Sequence, residues 1–155
     1  RCARCILIGG VGFGNLQVRV SLLAVPGSDM PADQAEDIHR ENLQRLMLYR
    51  PEAIDALAVH IHGTNLGRFR FKSRGLAASN ELAELLPRIK AKLVGLWGQE
   101  DATAGGREAI EARRALFQQA QADAEFHILP GIGHWAMYEA PHPVNQILRG
   151  NLVGE

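Results

Sequence analysis

Asp101 and His134 are an acid and a base that a folded chain could bring together. Asp101 stands just past the apolar run Lys92-Leu93-Val94-Gly95-Leu96-Trp97, after a turn begun by Gly98. His134 stands just past a second run, Glu125-Phe126-His127-Ile128-Leu129, at the end of Pro130-Gly131-Ile132-Gly133-His134. If both runs are parallel strands, their loops open on one edge of the sheet, where open α/β proteins gather their functional groups. A carboxylate there would fix the tautomer of the imidazole. It would also stabilise the imidazolium formed when the ring takes a proton. The same positions admit a plainer reading, in which Asp101 caps the following helix and His134 is a simple loop residue.

The elements that must position this pair are legible as patterns. Cys5-Ile6-Leu7-Ile8-Gly9-Gly10 is a continuous apolar run ended by glycine, which predicts a strand buried on both faces. From Ala35 to Leu48 the apolar residues Ile38, Leu43, Leu46 and Met47 approximate one helical face. Pro51 restarts a helical pattern through Ile54, Leu57, Ala58 and Ile61, and Gly63 is expected to end it. A basic stretch, Arg68 to Gly75, and a short helix from Asn80 to Leu86 follow. After the strand at Lys92–Trp97 come a helix over Arg107–Ala122, the strand at Glu125–Leu129 and a last helix over Pro143–Leu152. Strand, helix, strand, helix is the signature of a parallel sheet with crossover helices, an α/β fold. The span from Ser28 to Leu86 holds helices alone and reads as an insertion between two strands.

Composition narrows the function classes. The chain has 155 residues, enough for one domain, and 17 basic residues balance 17 acidic ones. Zero net charge argues against nucleic acid and against anionic membranes as partners. No apolar run approaches the roughly 20 residues of a spanning helix. Two cysteines are too few for a disulfide scaffold, so a reducing cytoplasm is the expectation. The start, Arg1-Cys2-Ala3-Arg4-Cys5, leads straight into a strand, so no signal peptide is expected. It also lacks methionine, which leaves room for sequence upstream.

Leu96-Trp97-Gly98-Gln99-Glu100-Asp101 and Gly131-Ile132-Gly133-His134-Trp135 together resemble motifs of the α/β-hydrolase superfamily. Over Lys92–Glu139 the likeness is to its C-terminal part. The resemblance implies that Asp101 is the acid and His134 the histidine of a catalytic triad, in the chain order nucleophile, acid, histidine. Cys5–Gly14 resembles the strand after the nucleophile helix, and the insertion resembles the family's cap. The implied division is residues 1–27 as hydrolase core, 28–88 as helical cap and 89–155 as C-terminal core. The family's nucleophile sits in Gly-x-Ser-x-Gly, and none of the four serines here, Ser21, Ser28, Ser73 and Ser79, has those glycines. Nucleophile and oxyanion hole are therefore expected upstream of Arg1, making this chain a fragment that is inactive alone.

His134-Trp135-Ala136 with Glu139 resembles the branch that cleaves carbon–carbon bonds in ring-fission products of aromatic degradation. Those enzymes use an arginine to hold a substrate carboxylate. Arg68, Arg70 and Arg74 are the candidates, and Trp135 and Arg74 are the expected substrate contacts. Esterases, epoxide hydrolases and dehalogenases share the same tail. The resemblance implies a small-molecule substrate, no metal or organic cofactor, and leaves a homo-oligomer open for the full-length protein. The alternative is a catalytically inactive binding or interaction module on the same scaffold.

Other patterns carry less. Cys2-Ala3-Arg4-Cys5 has redox or zinc spacing, but Cys5 begins a strand and no second pair completes a zinc site. Gly9-Gly10-Val11-Gly12-Phe13-Gly14 departs from G-x-G-x-x-G and reads as a flexible strand exit beside the site. His60 and His62, two apart on a helix, face different ways and are expected at the surface. His127 is expected to pack within its strand and His142 to be exposed. Arg68–Arg74, interleaved with Phe69 and Phe71, could stack on nucleic acid, though the neutral charge argues for a carboxylate clamp or a solvated face. Trp97 and Trp135 are expected around the site.

Overall fold

The computed structural model describes residues 2–16, 24–70 and 74–152. Three parallel strands form one sheet in the order β1-β2-β3, with β1 Arg4–Ile8, β2 Lys92–Gly98 and β3 Glu125–Leu129. Cys5 lies opposite Leu93, and Val94 opposite Glu125. Between β1 and β2 the described residues form the α-helices α1 Ala32–Leu46, α2 Ala56–Arg68, α3 Arg74–Ala77 and α4 Glu81–Leu85. Helix α5, Gly106–Ala120, connects β2 to β3, and α6 Ala136–Glu139 and α7 Pro141–Leu152 follow β3.

Central β2 is buried from Leu93 to Gly98 because it has a strand on each side and helices on each face. On one face Leu93 and Trp97 pack with Ile110 and Phe117 of α5. Gly95 makes that packing fit, since a Cβ there would collide with the Phe126 ring. Phe126 instead stacks on Trp97 at 5.1 Å between centroids. On the other face Leu96 packs with Ile132, Ala136, Ala140 and Val144. A third cluster joins Leu43, Leu48 and Ala58 of the helical segment to Trp135 and Tyr138.

Several expectations need correction. The first apolar run is an edge strand and only half-buried, since one flank has no neighbour among the described residues. Gly63 does not end α2, which continues to Arg68. The glycine serves helix packing instead: a Cβ there would lie 3.0 Å from Nε2 of His39 on α1. His62 is buried rather than superficial, with its Nδ1 3.1 Å from Nδ1 of His39. Burial, with the neighbouring His39, pushes the His62 imidazole below its ordinary value. Helix α1 begins at Ala32, directly after Pro31, and α7 at Pro141; proline is favoured at such starts because its missing N–H is not needed there. Trp97 belongs to the aromatic core beside α5, 1% exposed, and not to the rim. No helix among the described residues is long and apolar enough to cross a membrane.

Candidate active site

Because the strands are parallel, the ends of β1, β2 and β3 face one edge. Gly9, Asp101 and His134 leave the sheet there. His134 Nδ1 lies 2.8 Å from Asp101 Oδ2. A carboxylate can only accept, so Nδ1 carries the proton and donates it, which makes Nε2 the acceptor nitrogen of the neutral ring. Nε2 makes no hydrogen bond among the described residues. The Asp101 side chain is 1% exposed and that of His134 23% exposed, so the acid is sealed while the imidazole reaches the surface.

Asp101 is also a helix cap. Its Oδ1 accepts the Thr103 N–H at 2.9 Å and the Thr103 hydroxyl at 2.7 Å. The plain and the chemical readings of this residue thus hold together. Capping fixes one oxygen and leaves the other for the histidine. Burial raises the carboxyl, but the His134 and Thr103 hydrogen bonds outweigh it and hold the group below its ordinary value. Thr103 Oγ1 also lies 3.2 Å from His134 Nδ1.

Backbone contacts fix the histidine loop. Gln99 N–H donates to Leu129 O at 2.8 Å, and Glu100 N–H donates to Ile132 O at 2.9 Å. Gly98 lets the loop cross the end of β2, because a Cβ on it would collide with the carbonyl oxygens of Ile132 and Gly133. Gly9, at φ +56°, lies behind the imidazole; a Cβ on it would sit 3.3 Å from His134 Cε1. The glycine-rich exit of β1 is a close-approach surface for the ring.

Of the other expected site residues, Trp135 is half-buried. Its ring packs beside Tyr138, and its backbone N–H donates to Met47 O at 2.9 Å. Arg74 begins α3, but its side chain lies outside the described residues, as do Ser21 and Ser73. Arg68 and Arg70 are exposed. Cys2 and Cys5 are free thiols, and burial, with Cys2 alongside, pushes the Cys5 thiol up, away from the reactive thiolate. His127 is half-buried on β3, 3.5 Å from Glu125 Oε2, and His142 is exposed.

Sequence reasoning missed Thr103 and Arg113. Arg113 is 1% exposed, donates to Ala104 O at 2.5 Å and Leu16 O at 3.0 Å, and lies over the Phe13 ring. A charge between Ile110 and Phe117 on the apolar face of α5 was the available signal.

No family model and no curated protein sequence matches the chain. Solved structures do. An esterase from Rhodococcus sp. ECU1013 superposes with a TM-score of 0.65 at 17% identity, covering 97% of this chain and 55% of that one. A meta-cleavage product hydrolase from Pseudomonas fluorescens IP01 gives 0.64 at 14% identity, over 96% and 55%. A thermophilic esterase from Thermogutta terrifontis gives 0.56 at 21%, over 97% and 55%. The chain therefore has the α/β-hydrolase fold and spans about half the length of these structures, and its order of elements fits the C-terminal portion.

Proposed function

We propose that this chain is the acid-and-base half of a serine-type hydrolase acting on a small organic substrate. The observation that carries this reading is the 2.8 Å contact between a buried carboxylate and a partly exposed imidazole at the strand ends. In the scheme, a serine encoded upstream attacks the substrate carbonyl. Its proton passes to Nε2 of His134, and Asp101 stabilises the resulting imidazolium. His134 then returns the proton to the leaving group and activates water to release the acyl product. The bond cleaved is an ester or, as aromatic-degradation enzymes require, a carbon–carbon bond next to a carbonyl. Helices α1–α4 act as the cap, and Trp135 and Arg74 contact the substrate.

The test is turnover of the intact gene product on aryl esters and ring-fission dienoates. His134→Ala and Asp101→Asn should each lower kcat/KM by about 10³-fold or more. Near-normal turnover in either variant sinks the catalytic reading and leaves a binding module on the same scaffold.

A further inference from the structure

Glu139 has a role that the triad chemistry does not use. It closes α6, is 8% exposed, and forms no ion pair among the described residues. Its two oxygens go to two backbone amides far apart in sequence. Oε2 accepts the N–H of Gly133, the residue before His134, at 2.6 Å. Oε1 accepts the N–H of Arg50, just past α1, at 2.5 Å.

Three further hydrogen bonds run along the same seam. Trp135 N–H donates to Met47 O, Arg50 Nε donates to Gly131 O at 3.1 Å, and the Tyr138 hydroxyl donates to Asp55 Oδ1, the cap of α2, at 2.5 Å. A Cβ on Gly133 would lie 2.8 Å from Met47 O and from Tyr49 N, so the two backbones touch with no side chain between them.

We propose that Glu139 is the positioning residue of His134, fixing the imidazole loop to the end of α1 so that the base and the helical segment move as one unit. The proposal deepens the hydrolase reading and rests on His134 as its base. The chemistry requires a carboxylate. Only a carboxylate presents two acceptor oxygens, whereas an amide turns a donor toward one of the two N–H groups. Freed from Glu139, the loop keeps its strand end and the flanking Trp135–Met47 and Gly131–Arg50 contacts but loses the tie at Gly133 itself, next to His134, and the Nδ1 contact with Asp101 loosens.

The experiment is proton NMR of the full 155-residue chain. The His134 Nδ1–H resonance is assigned by its disappearance in His134→Ala. Wild type should show a downfield, slowly exchanging proton; in Glu139→Gln it should broaden or exchange about tenfold faster. Turnover of the intact gene product carrying Glu139→Gln should fall about tenfold or more in kcat, with KM changed far less. An unchanged resonance in a folded Glu139→Gln chain overturns the proposal, even if His134→Ala confirms the catalytic reading. If Glu139→Gln does not fold, amide exchange in the unmutated chain decides. Gly133 and Arg50 should exchange as slowly as the amides of β2, and fast exchange at either one overturns the proposal.

Discussion

At the residue scale, Asp101 does two tasks with two oxygens. Thr103 occupies Oδ1 with both its amide and its hydroxyl, so Oδ2 is presented to His134 in one orientation. Thr103→Val keeps the shape and the amide but removes the hydroxyl. A hydrogen bond to a charged group contributes about 1.5–3 kcal/mol. Part of that is lost here, so kcat of the intact gene product should fall about tenfold with KM unchanged, as steady-state kinetics would show. Arg113 works one layer below. Its guanidinium holds the carbonyls of Ala104 and Leu16 in a buried site. Arg113→Met takes the guanidinium donors from both carbonyls, and chemical denaturation should show a loss of about 2–4 kcal/mol.

At the element scale, the β2 terminus sets where the histidine loop runs. Gly98→Ala forces a methyl group into two backbone carbonyls that cannot turn aside as a side chain would. Urea denaturation should show a loss of about 3 kcal/mol or more; a loss under 1 kcal/mol would mean that the loop moves freely. At the other end of the sheet, Lys92 of β2 and Asn151 of α7 converge on Glu125 of β3. The Lys92 and Asn151 hydrogen bonds hold its carboxyl down to about 2, from an ordinary 4.5. Folding therefore gains from this group above pH 4.5 and loses that gain as pH falls toward 2. Stability measured against pH should drop less steeply over that window in Glu125→Gln than in wild type.

The strands were legible, β2 because a buried parallel strand writes itself as a nearly continuous apolar run, as Leu93–Trp97 does, and half-buried β3 because Phe126, Ile128 and Leu129 stand between a loop and the Pro130-Gly131 break; their order in the sheet had no local signature. Asp101 and His134 were legible because each follows such a run directly. Gly63 misled because a glycine inside a helix looks the same in sequence whether it ends the helix or admits a neighbour. Only the approach of His39 distinguishes the two. His62 misled for a related reason: its burial depends on α1, a partner that local periodicity cannot reveal. Glu139 was visible in its motif, but its contact with Arg50 spans 89 positions and has no local signature.

At the scale of the whole molecule, the sheet has three strands among the described residues, and β1, with its apolar sequence, stands at its edge there. Unpaired edges of that kind seek other chains. The 155-residue chain alone should associate increasingly with concentration in sedimentation experiments; a monodisperse monomer with a cooperative melt would contradict this. The helical segment meets the rest of the chain through the Trp135–Tyr138 cluster and the hydrogen bonds of the histidine loop at one end, and through Leu82, Ala83 and Leu86 in the core beside α5 at the other. The two tryptophans therefore stand on different sides of the architecture. Each is an optical reporter of its own neighbourhood. With Trp97→Phe, the remaining fluorophore reports the docking of α1 and α2; with Trp135→Phe, it reports the dryness of the aromatic interior beside α5. Recorded side by side, the two emission spectra would separate an undocking of α1 and α2 from a melting of the sheet.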